Sequence, residues 1–586
     1  MDLSPSTLLV RDASTRRWLR FTHPHHVLCA RRVEEVCPLL YAVEQAVESS
    51  GRHAAGFLSY EAAPAMDPAL CTRAADNFPL AWFGVYSAPD EIELPPPVSA
   101  WDQPVCGWQP SMTPQQYHAA LGRIREYIGG GHTYQVNFTL RLWAPFAADP
   151  WRLFEQLRAA QDAAYSAFAV LEDWIICSAS PELFFTLKGD LIASRPMKGT
   201  ARRGLTLEED HCQAVALQSS EKERAENVMI ADMIRNDIGR IAEVGSVTVR
   251  EAFAVERYPT LWQMTSTVEG HTRAGLTEIL RALFPPASIT GAPKPRTMAI
   301  IAELETAPRH IYTGTIGFIR PGRHAQFNVA IRTVLINRRR GLAEYGVGGG
   351  IVWDSDPEAE WRECQTKARI LGRPWPTFEL LETMRWTPVE GFFLLDRHLR
   401  RMADSAEYFG FPYPAERVRQ KLATLAQGLP PVPHRVRLLL NRTGTPRCEA
   451  VVLNVPAPMM PVPVALSRTP IDDQNPFLYH KTTSRRVYEE ALAACPGFAD
   501  VLLYNARNEV TESTIANVVV ECNGVRYTPP VRCGLLAGTY RNWLLEQGRL
   551  QERVLTVDDV LAAGRVLLIN SVRGEYPVRV VTAPSG

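Results

Sequence analysis

Ser220-Glu-Lys-Glu-Arg-Ala-Glu-Asn-Val-Met-Ile-Ala-Asp-Met-Ile-Arg-Asn-Asp237 carries its apolar residues at helical spacing. It therefore predicts a helix with Glu223 and Glu226 three apart on one face, where like charges repel by about 0.2–0.5 kcal/mol. The arrangement returns in Asp356-Pro-Glu-Ala-Glu-Trp-Arg-Glu-Cys-Gln-Thr-Lys367, which places Glu360 and Glu363 on a common face. Two such pairs facing each other would make an oxygen-rich nest suited to Mg²⁺, a hard cation that takes one or two protein carboxylates and keeps places for water and an anionic substrate. Spacing alone equally permits two solvated helix faces neutralised by Lys222, Arg224 or Arg362.

Around these helices lie segments built for close approach. Lys198 stands between a proline bend and a glycine in Pro196-Met-Lys-Gly199, a setting that projects it into a cleft or leaves it on the surface. Pro286-Ala-Ser-Ile-Thr-Gly-Ala-Pro-Lys294 offers small residues whose backbone N–H groups can approach an anion ahead of a helix predicted over Pro295 to Leu304, or it is a plain loop-to-helix turn. Gly346, Gly348, Gly349 and Gly350 form another strip without side chains.

The chain as a whole has 586 residues, 63 Lys+Arg against 63 Asp+Glu, 46% hydrophobic and 22% charged residues. At roughly 150 residues per domain this length predicts about four domain-sized units. Zero net charge argues against a nucleic-acid binder, and the apolar content against a disordered chain. The eleven cysteines include no C-x-x-C pair, so neither a disulfide framework nor a zinc ribbon is indicated and a reducing, cytoplasmic compartment is expected. Nothing resembles a signal-peptide core or an uninterrupted run of 18 apolar residues, so no membrane span is expected.

Glu93-Leu-Pro-Pro-Pro-Val98 reads as a loop closing a first region. Leu371-Gly-Arg-Pro-Trp-Pro-Thr377 is helix-stop chemistry after a helix predicted over Pro357 to Leu371, and marks the main boundary. Strand-like runs (Val247–Val249, Val329–Ile331, Val334–Ile336, Val436–Leu440, Val518–Val520) alternate with helical segments, including His398 to Phe409. Both halves are expected to be mixed α/β (α+β).

Taken in order, Tyr134-Gln-Val-Asn137, Ser180-Pro-Glu182, Pro196-Met-Lys-Gly-Thr200, Arg224-Ala-Glu-Asn-Val-Met-Ile-Ala-Asp232, Ile289-Thr-Gly-Ala-Pro-Lys294, Tyr312-Thr-Gly314, Ala330-Ile-Arg-Thr333 and Gly348-Gly-Gly-Ile-Val352 resemble the chorismate-utilising enzymes over roughly residues 110–372. The resemblance implies an anthranilate synthase component I-like fold in which Glu226 and Glu363 bind Mg²⁺, supported by Glu223 and Glu360. It also implies that Tyr312, Arg332, Lys367, Gly349 and the backbone around Gly291 and Ala292 hold the carboxylates of chorismate.

Within that family, isochorismate and salicylate synthases carry a water-activating lysine where this chain has Gln135. Anthranilate synthases usually carry alanine where it has Lys198, and a lysine there is the signature of aminodeoxychorismate synthase component I. The resemblance implies that this amine attacks C2 while the C4 hydroxyl leaves, and that ammonia then attacks C4 and expels the lysine. Many relatives have a histidine where Trp262-Gln-Met-Thr-Ser266 has Gln263; glutamine can hydrogen-bond a hydroxyl but delivers no proton at neutral pH. No cysteine sits in the G-x-C-x-G elbow of a glutamine amidotransferase, so a separate amidotransferase subunit is the expected source of ammonia, with free ammonia the alternative.

Beyond the boundary, Tyr479-His-Lys-Thr-Thr-Ser-Arg-Arg-Val-Tyr488 sets Lys481 ahead of a predicted helix, and Asn508-Glu-Val-Thr-Glu-Ser-Thr-Ile-Ala-Asn-Val518 carries Glu512. Alone, these are a basic helix start and a polar strand end. With His398-Leu-Arg-Arg401 before them and Gly534-Leu-Leu-Ala-Gly-Thr-Tyr-Arg541 after, they resemble the class IV pyridoxal-phosphate enzymes, a two-lobed fold-type IV family. The resemblance implies that Lys481 holds pyridoxal phosphate covalently and that Glu512 keeps its pyridine nitrogen protonated. It further implies that Arg401 and the backbone at Thr539 and Tyr540 bind the phosphate. Arg442 is a candidate for a substrate carboxylate or for structural pairing.

The expected organisation is an N-terminal part over 1–110, a chorismate-binding domain over 111–372, a linker at 373–378 and a class IV domain over 379–586, with a homodimer through the last. The expected function is conversion of chorismate and ammonia to 4-amino-4-deoxychorismate and then elimination of pyruvate to 4-aminobenzoate. The rivals are an anthranilate synthase component I fused to a branched-chain or D-amino-acid transaminase-like domain, or to a non-catalytic dimerisation module.

Overall fold

The computed structural model describes residues 4–95, 105, 107–161, 163–371, 376–454 and 461–582. The proline run at 93–98 and the boundary segment at 371–377 therefore lie partly outside the described residues. The chain divides into two units: Met1–Arg202 with Ala214–Trp375, and Arg203–Gln213 with Pro376–Gly586.

The first unit contains two ten-stranded sheets, with neighbouring strands antiparallel throughout both. Side chains in a strand alternate between faces, and Thr7–Arg11 shows what this does here. Leu8 and Val10 join a core with Phe57, Trp82 and Phe318 of the other sheet, whereas Leu9 points the opposite way, into a cluster with Leu153, Phe154 and Leu157 of the helix Pro150–Gln161. On the outer face of the second sheet, Val36, Leu40 and Val43 of Val33–Ser50 and Ile230, Ile234 and Ile238 of Glu221–Gly239 form a third cluster. The result is four layers, two sheets inside and helices on both outer faces.

Both glutamate-bearing helices form where the periodicity places them, because each has a cap. Ser220 Oγ accepts from Glu223 N ahead of Glu221–Gly239, and Asp356 Oδ1 accepts from Ala359 N at 2.8 Å ahead of Pro357–Ala368, whose first residue is a proline. The expected strand over Val329–Ile331 is instead a link between His324–Asn328 and Thr333–Asn337. Its amides are drawn into cross-links, Val329 N to Glu182 O and Ala330 N to Gly314 O, and Arg332 takes a left-handed φ of 52° that ends any ladder.

In the second unit, a four-stranded antiparallel sheet including Leu380–Thr387 and His434–Leu440 precedes a mixed eight-stranded sheet. Six strands of the latter close on themselves, because Val510–Ser513 pairs with both Val501–Tyr504 and Asn517–Cys522. Closure leaves no free edge around the ring, and Lys481 lies where the two sheets meet: its carbonyl accepts from Leu381 N at 3.0 Å. No helix among the described residues is long and apolar enough to cross a membrane.

Candidate active sites

Lys198 lies on the strand Met197–Arg202, at a register shift where Met197 pairs with Thr265 and Thr200 with Gln263. The extra residue bends the strand and turns Lys198 toward the glutamate helix, bringing Nζ to 3.6 Å from Glu226 Oε2. Gly199 has a φ of +96°, and a side chain there would come within 3.1 Å of Glu223 Oε2. Gln263 fixes the bulge, donating from Nε2 to Gly199 O at 2.9 Å and accepting from Thr200 Oγ1 at 3.2 Å.

Across from it, the glycine strip does what its lack of side chains allows. A Cβ on Gly350 would fall 2.0 Å from Gln135 Nε2 and 2.5 Å from Lys198 Nζ, so these two side chains converge over that residue. A Cβ on Gly349 would meet Glu360 Oε2 at 3.1 Å and both Glu363 Oε1 and Lys367 Nζ at 3.9 Å. Tyr312 lays its buried ring over Gly346. Lys367 Nζ pairs with Glu363 Oε1 at 2.7 Å and donates to Gly348 O at 2.7 Å, while Arg332 donates to Lys367 O at 3.2 Å. Gly291, at φ +124°, packs so tightly that a Cβ would lie 2.0 Å from Gln135 O, and Ala292 O accepts from Tyr134 N and Thr133 Oγ1. The four glutamates, Lys198, Lys367, Gln135, Gly349 and Arg332 thus belong to one site.

The charge of this site is unbalanced. Burial and the neighbouring Glu226 push the Glu223 carboxyl up, and burial with Glu363 nearby pushes Glu360 up despite a hydrogen bond from Ser355. Burial also opposes ionisation of Glu363, yet Lys367 holds it below the ordinary carboxylate value. Among the described residues no three Asp, Glu, His or Cys side chains converge closely enough to cage a metal by themselves. A site with excess carboxylate but no complete cage fits Mg²⁺, which needs one or two protein carboxylates and takes the rest of its shell from water and substrate.

Glu182, within Ser180-Pro-Glu182, is a site residue that the structure adds. It is buried, accepts from Ser288 Oγ at 2.7 Å and from the Met197 backbone, and feels the charge of Lys198. Burial pushes it up to about 7. Only the fold could reveal it, because Ser288 and Met197 come from segments far apart in sequence.

The second site centres on Lys481. Burial, aided by the Arg401 guanidinium, lowers its amine to about 8. Glu512, also buried, is pushed by burial up to about 7, although it accepts from Tyr488 OH at 2.7 Å and from Leu536 N at 3.2 Å. Arg401 is held by Glu382, which the structure adds to this site. Glu382 accepts from Arg401 Nε at 2.8 Å and from its terminal nitrogen at 2.7 Å, and is hydrogen-bonded to His398 Nδ1 at 2.6 Å. Burial opposes its charge, but Arg401 and His398 bring it down to about 2.

His398 Nε2 reaches Thr539 Oγ1 at 3.2 Å, so this network ends at the first turn of the helix Thr539–Glu546. Tyr540 sends its hydroxyl to Glu575 at 3.3 Å, which leaves its backbone at the helix start. Arg442 lies over the Phe411 ring. A lysine eased toward neutrality, a carboxyl facing it across the site, and an arginine fixed beside a helix N-terminus together fit pyridoxal phosphate. The helix start and Arg401 suit its phosphate, and Glu512 suits its ring nitrogen.

Comparison with known proteins agrees with this division. The profile of the family described as chorismate binding enzyme matches residues 8–373, and that described as Amino-transferase class IV matches residues 379–581. The aminodeoxychorismate synthase component 1 of Escherichia coli (strain K12) is 43% identical over 267 residues, 45% of this chain and 58% of that protein. An anthranilate synthase component 1 of Haloarcula marismortui is 43% identical over 251 residues, 42% of this chain and 50% of that protein. The matched stretches thus span little more than half the length of these relatives. In fold, the anthranilate synthase component I of Streptococcus pneumoniae TIGR4 superposes with a TM-score of 0.53 at 24% identity, covering 64% of this chain and 94% of that one.

Proposed function

Because the chain belongs to the chorismate binding enzymes over residues 8–373 and continues into a class IV amino-transferase region over 379–581, we propose that it makes 4-aminobenzoate in two steps on one polypeptide. Relatives of both amination types are 43% identical to it, so overall similarity does not choose the reaction. The observation that does is Lys198, whose Nζ lies 3.6 Å from Glu226 Oε2 and beside Gln135.

In the first step the neutral Lys198 amine attacks C2 of chorismate, both conjugated ring double bonds shift, and the C4–O bond breaks; the departing hydroxide takes up the proton the amine loses and leaves as water. Ammonia then attacks C4, both double bonds shift back, and the C2–N bond to Lys198 breaks with the lysine regaining the proton that ammonia loses; the net change is chorismate plus ammonia to 4-amino-4-deoxychorismate plus water. Glu182, held at about 7, is matched to hold or give a proton near neutral pH. Arg332, Lys367 and the backbone at Gly291 orient the carboxylates. Glu226 and Glu363, with Glu223 and Glu360 behind them, would hold Mg²⁺, which supplies positive charge to polarise and position the substrate. A separate glutamine amidotransferase subunit delivers the ammonia.

In the second step Lys481, eased toward its neutral form, takes the proton from C4 of the amino-substituted ring. The C3–O bond then breaks, the departing enolpyruvate takes up a proton to become pyruvate, and the ring becomes aromatic. Pyridoxal phosphate, when bound, supplies an electron sink, and Glu512 keeps that sink protonated. Arg401, clamped by Glu382, and the Thr539 helix start hold the phosphate.

Incubating the full chain with chorismate, ammonium and Mg²⁺, with and without pyridoxal phosphate, tests both steps. The expected product is 4-aminobenzoate only when the cofactor is present, with 4-amino-4-deoxychorismate accumulating otherwise. Formation of 2-aminobenzoate would reject the first step as proposed, and 4-aminobenzoate formation indifferent to cofactor would reject the second.

A further inference from the structure

His480, immediately before Lys481, is buried and has Ser405 Oγ 3.0 Å from Nδ1. The Tyr408 ring stacks on it at 4.1 Å between centroids, and the Arg203 guanidinium lies over the Tyr408 ring, 4.3 Å from its centroid. Arg203 donates to Tyr408 O at 2.8 Å and makes two bonds of 2.7 Å to the Asp210 carboxylate. Tyr408 returns a hydrogen bond from its hydroxyl to Gly204 O at 2.7 Å. Gly204 N donates to Asp210 Oδ1 at 2.9 Å, and a Cβ on Gly204 would lie 2.1 Å from Asp210 N, so the turn closes only with glycine. Leu205 packs against the apolar cluster that contains Leu478, Tyr479 and Tyr488, the last being the donor to Glu512.

Arg203 and Asp210 are 8% and 1% exposed. A crossing loop would leave such charges in water, since burying an ion pair is costly unless its hydrogen bonds are complete. The bonds from Arg203 and Gly204 to Asp210 and Tyr408 run within the second unit, although residues 203–213 are encoded between the strand of Lys198 and the helix of Glu223.

We propose that Arg203–Gln213 is a positioning strap for the cofactor lysine, a stretch from within the chorismate-binding span that fixes the His480–Lys481 backbone by clamping the Tyr408 ring onto His480. The inference rests on the reading of Lys481 as the pyridoxal-phosphate lysine. Burial drives the His480 ring down to about 3, so it serves as a neutral packing surface and not as a second base. One consequence is that the second unit is incomplete without residues from the middle of the first family's span.

The test uses the full-length apoprotein titrated with pyridoxal phosphate, reading the absorbance of the lysine-bound cofactor beside thermal melting. Tyr408→Phe keeps the ring stack and removes one hydrogen bond, and should weaken cofactor binding about fivefold. Asp210→Asn removes the charge from the clamp and should weaken it about tenfold or more, with an altered absorbance band. Cofactor affinity and spectrum unchanged to within about twofold in both variants, even with lower melting temperatures, would overturn the strap and leave a merely structural segment. A wild-type chain without any absorbance that Lys481→Ala abolishes would overturn the cofactor reading, and the strap with it.

Discussion

Each unit is organised around a lysine, and the two lysines are kept in opposite surroundings. Lys198 stands at an acidic cleft, 3.6 Å from Glu226 with Glu223 behind it, and keeps 16% of its side chain exposed. Lys481 is half-buried as well, but has no carboxylate within ion-pairing distance among the described residues, and is pressed toward neutrality by desolvation of its amine and by Arg401. The difference matches the partners each must meet. On the proposed reading, a nucleophile for a dianionic substrate would stand among carboxylates whose charge a bound Mg²⁺ would neutralise. A lysine that must exchange a covalent partner sits where its charged form is disfavoured.

The largest effects should come from removing each lysine in turn. Lys198→Ala should cut formation of 4-amino-4-deoxychorismate by on the order of 10³-fold or more, while supplied 4-amino-4-deoxychorismate is still converted to 4-aminobenzoate. Lys481→Ala should do the reverse, accumulating the intermediate and losing the lysine-bound cofactor absorbance. Chromatography of both products decides it, and a variant that stops both steps would break the comparison.

Next in size is Gly350→Ala. The added methyl would occupy the point where Gln135 Nε2 and Lys198 Nζ now converge, 2.0 and 2.5 Å away, and a misplacement of about 1 Å can cost ~10²-fold in rate. The first step should fall by about that factor with the second untouched. Equal loss in both steps, or none in the first, would reject the convergence.

Smaller again is Glu382→Gln. The carboxylate makes two bonds to Arg401 and one to His398, and charge-assisted bonds contribute about 1.5–3 kcal/mol each. An amide keeps one acceptor, so pyridoxal phosphate should bind about tenfold more weakly, with the first step unchanged. Absorbance titration measures it; wild-type affinity in the variant would show that Arg401 needs no anchor.

These sites were legible in the sequence to different depths. The pairs Glu223/Glu226 and Glu360/Glu363 could be read because helical spacing is local, and Ser220 and Asp356 cap the helices where the pattern begins. What sequence could not supply was the second partner of each buried acid. Glu182 is made notable by Ser288, 106 residues away, and Glu382 by His398 and Arg401 on the helix Leu395–Phe409, the first of which reaches on to Thr539. Residues 203–213 were hidden for the same reason, since their partners Tyr408 and His480 lie about two hundred residues or more further on in the chain. No strand forms at Val329–Ile331, whose β-branched composition is indistinguishable from that of a link whose amides bond outside any ladder.

The smallest effect separates the two buried acids that stand opposite the lysines. Glu182 and Glu512 are both pushed by burial from about 4.5 to about 7. A carboxyl whose folded value is raised binds protons more readily in the native state, so its contribution is fully present below pH 4.5 and is lost as pH rises through 7. At 1.36 kcal/mol per pKa unit the loss is on the order of 3 kcal/mol for each. Lys481, held down to about 8, titrates above this window and does not offset it. In the apoprotein, Glu182→Gln and Glu512→Gln should therefore each flatten the fall in melting temperature between pH 5 and 8, by several degrees at most for so large a chain. Pyridoxal phosphate should distinguish them. Its ring nitrogen gives Glu512 a cationic partner that favours the carboxylate, so loading should erase the contribution of Glu512 and leave that of Glu182. Melting curves of the two variants across pH, with and without cofactor, measure the difference. If cofactor flattens both equally, the two acids are not set apart by what their lysines carry.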